Sequence, residues 1–391
     1  MRIIEFKKYS LIFTLILSSL FYINLINDTI TNIKIANFIE VNDSIYPDLK
    51  TAGLSEPVHI NNNWSAAKIT GICTGDGISS NPYIIKDLVI DSIASRICIT
   101  IENSIDYFII LNCTLFNTEY QRDPFVYDYA GVLLSNVSNG KLLNNSCYFN
   151  EYGIYLEDSS LNLFMGNNLT ENDFGIYIYD SFSNVFSYNS LIDNFEGIFI
   201  EGSTNTISNN SLISNNEGIS VRRTNNIISG NEVNDNKQGI NVYEAWNNNI
   251  FNNNASYNTH SGIRLHLSSR NEISGNTINN NAIAGIFVSY DSNSNTISGN
   301  IANNNEYGIY LISSHHNTVS WNNMSGNTLC IYEKDCQGNE FSNNFGCNYP
   351  GNEINDGIPL DFLLNIVLLL GGISIVAIIT VSEIRKIFKT K

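Results

Sequence analysis

The sequence predicts an all-β chain, a parallel β-helix of about eleven 22-residue coils, followed by one C-terminal transmembrane helix. Three observations predict it. A glycine followed by a β-branched aliphatic residue recurs every 21 to 23 residues, two further apolar positions keep their place inside each repeat, and a 20-residue apolar run with a basic tail ends the chain.

The repeat glycines are Gly131, Gly153, Gly175, Gly197, Gly218, Gly239, Gly262, Gly285 and Gly308, at intervals of 22, 22, 22, 21, 21, 23, 23 and 23. Such a period marks stacked supersecondary units that cannot bury an apolar face alone. One residue after each glycine stands Val or Ile, and three after it another aliphatic, as in Ile154 and Leu156 or Ile198 and Ile200. The residues between vary, so the period is 2 and the element is a strand. A second apolar row runs from Leu142 through Phe164 and Phe186 to Val319, and a third, always five residues later, from Cys147 through Leu169 and Leu191 to Met324. Three short apolar elements per unit, joined by turn residues, give a β-helix once stacked. No Leu-x-Leu consensus supports a leucine-rich repeat.

The turns are written in asparagine. The chain holds 64 Asn and 62 Ser plus Thr but only 26 Gly and 6 Pro. Asn accepts turn conformations and stacks its amide in ladders between neighbouring coils, which phrases such as Asn205-Thr206-Ile207-Ser208-Asn209 suit. Upstream, Cys98, Ile99, Ile101, Phe108 and Cys113 fit the frame and set Cys113 beside Cys147 on the third row. Downstream, Cys330, Ile331 and Phe341 continue it until Glu333 replaces the inward aliphatic. The interval of 33 between Cys98 and Gly131 implies an insertion at 118–130. At ~4.8 Å per coil the stack makes a rod on the order of 50 Å long.

The ends set the expected location. Arg2, Lys7 and Lys8 precede an apolar run from Tyr9 to Ile26, the order of a secretory signal, either cleaved or kept as a signal anchor. Phe362 to Val381 is long enough to span a bilayer as helix, and Arg385, Lys386, Lys389 and Lys391 follow on the cytoplasmic side. The expected organisation is therefore a signal or anchor at 1–26, an N-terminal segment and cap at 27–80, repeats at 81–345, a linker at 346–361, a membrane helix at 362–381 and a tail at 382–391. The protein is then single-pass, or two-pass if the first segment is retained, with the β-helix outside the cell. A formal net charge of −17, with basic runs only at the termini, excludes a phosphate backbone as partner and so excludes nucleic acid. Seven cysteines leave at least one unpaired within the monomer, and ten Asn-x-Ser/Thr sequons match the number this composition gives by chance.

The 22-residue unit resembles the right-handed parallel β-helix repeat of the NosD-like and carbohydrate-binding/sugar-hydrolase group over roughly residues 81–345. The runs Asn81-Pro82-Tyr83-Ile84-Ile85-Lys86-Asp87 and Tyr107-Phe108-Ile109-Ile110-Leu111-Asn112-Cys113 are similar to the opening coils of membrane-anchored archaeal surface members. The resemblance implies a right-handed rod at the cell surface and raises polysaccharides, and copper, as candidate ligands. It does not by itself imply one function.

Copper handling needs clustered soft or imidazole ligands. Past the initiator the chain offers only Met165 and Met324 and five histidines, of which His315-His316 is a turn pair, so no metal site is expected. Calcium is compatible with the face described next but is not signalled. Polysaccharide binding has more to work with. Two and four residues after each glycine the side chains point outward, and these positions hold Tyr155, Glu157, Tyr177, Tyr179, Phe199, Glu201, Arg222, Tyr243, Arg264 and His266. Aromatic faces and hydrogen-bonding groups in one stripe suit a glycan; equally, such residues stack across strands for stability, with Glu201 expected to pair with Arg222. The insertion, with Tyr120, Arg122, Asp123, Tyr127, Asp128 and Tyr129, would overhang the stripe. Catalysis is the alternative, as polysaccharide lyase or glycoside hydrolase. However, Glu157 and Glu201 lie two coils apart, at ~10 Å, past the spacing of an inverting pair. The chain also has no Asp-Asp pair of the kind found in polygalacturonase-like members. The residues weigh toward a surface-anchored rod that binds glycans or envelope components, or spaces them.

Overall fold

The computed structural model describes residues 54–92, 96–118 and 129–346. The signal or anchor segment, most of the insertion, the linker, the membrane helix and the basic tail lie outside the described residues. Among those described, no helix is long and apolar enough to cross a membrane.

The chain winds through three parallel sheets. The first runs from Val58–Asn61 and Ile97–Ser104 to Tyr307–Ile312 and Leu329–Lys334, and the second from Tyr83–Lys86 to Glu340–Ser342; each has 12 strands. The third has seven strands, Val89–Asp91 to Glu232–Asn234, and continues as single bridges from Asn254 to Phe345. Every ladder pairs a residue with its counterpart one repeat on, as Ile154 with Ile176 and Ile176 with Ile198. The one helix among the described residues, Trp64–Ile69, buries Trp64 and Ala67 and lays the indole 5.3 Å from the Phe108 ring.

All three inward rows are buried as the spacing predicts. Ile154, Leu156, Phe164 and Leu169 have no exposed surface, nor do their counterparts on the following coils. Phe164 and Phe186 stack at 4.5 Å in the second row. Each fully buried Leu, Ile or Phe contributes about 1.5–3 kcal/mol against exposure to water, so the interior is one continuous apolar cluster.

The asparagines form three ladders along the corners. One runs from Asn145 and Asn167 through Asn189, Asn210 and Asn231 to Asn344, one from Asn162 to Asn339, and one from Asn150 to Asn327. In most rungs the side-chain oxygen accepts the backbone N–H and the amide of the preceding rung, while its own amide donates to a strand carbonyl about one coil back and to the next rung. Asn189, for example, donates to Phe164 O at 3.1 Å and to Asn210 Oδ1 at 2.9 Å. Backbone groups that turn away from the sheets at each corner are thus satisfied inside the protein.

The upstream frame differs from expectation by two residues. The register pairs Ile110 with Leu142 and Leu115 with Cys147, so these residues, not Phe108 and Cys113, continue the second and third rows. In a strand a slip of two keeps a side chain on the same face, which is why Phe108 is also buried and spacing alone misplaced it. Phe108 fills the space left by Gly140 of the next coil. Cys113 instead heads an asparagine ladder, its N–H donating to Asn145 Oδ1 at 3.0 Å. Cys73, Cys98, Cys113, Cys147 and Cys336 are free thiols. Burial pushes Cys98 up to about 12 and Cys113 to about 11, so both stay protonated packing groups. Cys330 packs in the core cluster and is also disulfide-bonded.

Candidate functional site: the outward face of the first sheet

The first sheet carries its outward residues in three rows, not two. Two and four positions after each glycine point outward as alternation predicts. The third row stands one position before the glycine and includes Tyr152, Phe174, Glu196, Glu217 and Gln238. Strict alternation would turn these inward, but the pairing register passes from Tyr152–Phe174 to Ile154–Ile176 and skips the glycines. At Gly153 the absent Cβ would meet Gly175 O at 2.6 Å and Leu169 Cδ2 at 2.7 Å, so the glycine faces the core beside Ile154. Two consecutive inward residues flip the one before them to the outer face. That backbone irregularity was the feature the period-2 reading could not register.

Toward the N-terminal end the rows form an aromatic cluster. Tyr152 stacks on Tyr155 at 5.0 Å and on Phe174 at 5.3 Å, Tyr155 meets Tyr177 edge-on at 5.3 Å, and Tyr177 stacks on Phe199 at 4.9 Å. With Ala130 and Leu133 this is a second apolar cluster outside the solenoid core. Tyr155 and Tyr177 remain half-buried while Phe199 is 7% exposed, so only part of the predicted stripe offers a ring face to solvent. Burial pushes the Tyr177 hydroxyl up to about 12, with the Glu201 charge adding to it.

A polar centre follows. Glu196 and Glu217 are register partners on adjacent strands. Burial, and then the Glu217 charge beside it, pushes the Glu196 carboxyl up to about 7, a rise that the Ser220 hydroxyl opposes. Glu217 is better supplied: its Oε2 accepts the Ser220 hydroxyl at 2.5 Å and the Asn241 amide at 3.0 Å. Five buried side-chain polar atoms lack a hydrogen-bond partner among the described residues, and three of them, Glu196 Oε2, Asn241 Oδ1 and Arg264 Nε, lie on this face. Orphaned buried polar atoms are expensive, and three of the five gather on this face.

The arginines divide the work differently from expectation. Glu201 and Arg222 are register partners, but Glu201 accepts its hydrogen bond from Arg223 at 2.8 Å. Arg223 sits at φ 101 and lies 3.9 Å from Asp180. Arg222 instead places its guanidinium 5.2 Å from the Phe199 ring and 5.0 Å from the Tyr243 ring. Two ring faces hold it more firmly than one half-exposed carboxylate would. Beyond it Tyr243 stacks on His266 at 5.2 Å, and His266 Nδ1 lies 3.2 Å from Arg264 and 3.1 Å from the Ser289 hydroxyl. Burial and the Arg264 charge lower the His266 pKa, which suits a neutral ring accepting at Nδ1. Glu157 accepts the Ser135 hydroxyl at 3.3 Å. Tyr179 stands between Glu157 and Glu201 in the same row.

All ten sequence-nominated residues therefore fall on one face, and Glu196, Glu217, Ser220 and Asn241 join them at its centre. Among the described residues no group of three or more His, Cys, Asp or Glu is placed to hold a metal ion.

A parallel β-solenoid bearing one continuous face of aromatic, carboxylate and guanidinium groups is the class of protein this fold and site define. A family model described as a right-handed β-helix region matches residues 27–224 and 196–324. The chain belongs to the right-handed β-helix family. Among solved structures it is similar to the A-module of mannuronan C-5 epimerase AlgE4 from Azotobacter vinelandii, at 13% identity and TM-score 0.52, covering 78% of this chain and 98% of that one. It is also similar to tailspike protein 3 of bacteriophage CBA120, at 13% identity and TM-score 0.53, covering 70% of this chain and 54% of that one. These likenesses are of fold. No curated protein matches the sequence.

Proposed function

We propose that this chain is a surface-anchored β-helix protein that binds polysaccharide along the outward face of its first sheet. The observation that carries the reading is the polar centre set between aromatic platforms. Glu196, Asn241 and Arg264 carry unpaired buried polar atoms on the strands of Phe199, Tyr243 and His266, at the facing ends of the Tyr155–Tyr177–Phe199 and Tyr243–His266 stacks, with Glu217 and Ser220 on the strand between. Sugars offer an apolar ring face for the platforms and hydroxyls that both donate and accept. A run of sugars along the coils would meet the two stacks in turn. One structural neighbour is by name a mannuronan epimerase, a precedent for polysaccharide chemistry on this fold. Surface anchoring rests on the apolar runs Tyr9–Ile26 and Phe362–Val381 and the basic tail, and NosD-like, archaeal-type membership rests on the opening-coil motifs.

The test is a glycan array probed with the full chain in detergent, with and without calcium. Wild type is expected to retain a defined polysaccharide class. Replacing Tyr155→Ala together with Tyr177→Ala should weaken that retention at least tenfold, with circular dichroism confirming that the solenoid persists. Unchanged affinity in the folded double variant would remove the face from the binding reading.

A further inference from the structure

Resting on the polysaccharide reading, the geometry points to Glu196 and Glu217 as the acid and the nucleophile of a retaining glycoside-hydrolysis site at the centre of this face. The two are register partners on adjacent parallel strands, whose spacing is ~4.8 Å. Side chains that leave neighbouring strands in the same direction keep that spacing. It falls close to the ~5–5.5 Å of a retaining carboxyl pair and short of the ~6.5–9.5 Å that an inverting pair needs to admit water.

Their surroundings separate their roles. Glu217 is held in place by two donors, Ser220 and Asn241. Glu196 has one oxygen sealed from solvent without any donor, and burial, with Glu217 beside it, pushes its carboxyl up to about 7. A buried carboxyl that holds its proton beside a carboxyl fixed by two donors suits the acid and the nucleophile in turn. The remaining carboxylates of the face do not compete. Glu201 is engaged by Arg223, and Glu157 lies two coils away from it.

In the first step the Glu196 proton passes to the glycosidic oxygen, the bond from that oxygen to the anomeric carbon breaks, and a Glu217 oxygen bonds to the anomeric carbon. In the second, water attacks the anomeric carbon, Glu196 takes the water's proton, and the ester bond to Glu217 breaks. Solvent water is the only co-reactant, and the anomeric configuration is retained. The sugar at the cleavage position is neutral, because a uronate carboxylate there would set a second carboxylate against Glu217 and oppose transfer of the Glu196 proton. The Tyr177–Phe199 and Tyr243–His266 stacks would flank the cleavage position on either side.

The experiment uses the full chain and the neutral polysaccharides retained on the array. Wild type should release reducing ends, and Glu196→Gln and Glu217→Gln should each lower the release by about 10²-fold or more while retaining the polysaccharide. Independently of any variant, wild type treated with an activated 2-deoxy-2-fluoro glycoside should gain the mass of one sugar on Glu217, and Glu217→Gln should not. Retention without release of reducing ends, or release that survives both replacements, overturns the hydrolytic pair and leaves the binding reading standing. Absence of retention by any polysaccharide overturns both.

Discussion

Asn210 tests whether the corner ladders hold the solenoid together. Its amide donates to Phe186 O and to Asn231 Oδ1, each at 3.0 Å, and its side-chain oxygen accepts from the Asn189 backbone N–H and amide, each at 2.9 Å. Asn210→Ala would leave one buried group with no other partner, the Asn189 N–H, while the Phe186 carbonyl loses one of two donors and keeps its bond in the parallel ladder. The Asn189 amide keeps its bond to Phe164 O, and Asn231 Oδ1 keeps the Asn210 N–H. At about 1–3 kcal/mol for the orphaned group, the substitution should cost about 2 kcal/mol. Asn189 and Asn210 are each 1% exposed, so water has no ready access to replace the lost partners. Urea denaturation followed by circular dichroism at 222 nm measures the difference, with the mutant compared to wild type on the same slope. Ser208→Ala, on the solvent side of the same coil, should cost less than about 0.5 kcal/mol. A loss below about 1 kcal/mol for Asn210→Ala would refute the argument that the ladder amides carry the corners.

Three further outcomes follow from the same structure. Glu196 has a folded-state pKa raised from 4.5 to about 7, so the folded state binds the extra proton; stability should be greatest below pH 4.5 and fall by about 3 kcal/mol as pH rises through 7. Glu196→Gln should flatten that part of the profile, and an unchanged slope between pH 5 and 8 in denaturation series would contradict the buried-carboxyl account. Gly197→Ala would drive a methyl to 2.6 Å from Gly218 O and 2.9 Å from Leu212 Cδ2, and overpacking of this kind should cost about 1–3 kcal/mol, read as a lower midpoint in thermal melts. Arg222→Ala should destabilise by about 1–2 kcal/mol through its two ring contacts, whereas Arg223→Ala, whose ion pairs are half-exposed, should change stability by less than about 1 kcal/mol; equal effects would restore the Glu201–Arg222 pairing read from spacing.

The chain's own periodicity determined the fold. A 21-to-23-residue recurrence with three apolar positions admits only a stacked β-solenoid, and burial of all three rows and the Asn ladders follows from that recurrence. The outward stripe was legible too, because alternation around Ile154–Leu156 or Ile198–Ile200 fixes which neighbours face away from the core. The frame near Cys98 was not, since Phe108 and Ile110 both point inward and only the pairing partner distinguishes them.

Tertiary structure alone decided the centre of the site. The glycine that announces each coil is a point where two successive residues face the core, which turns Glu196 and Glu217 outward against the alternation. Whether Arg222 takes a carboxylate or two aromatic rings likewise depends on side chains two coils apart, Phe199 and Tyr243, converging on one guanidinium. Sequence sets what each coil contains; the close approach of one coil to the next sets which of its polar groups are left without partners, and that proximity is not encoded within any single repeat.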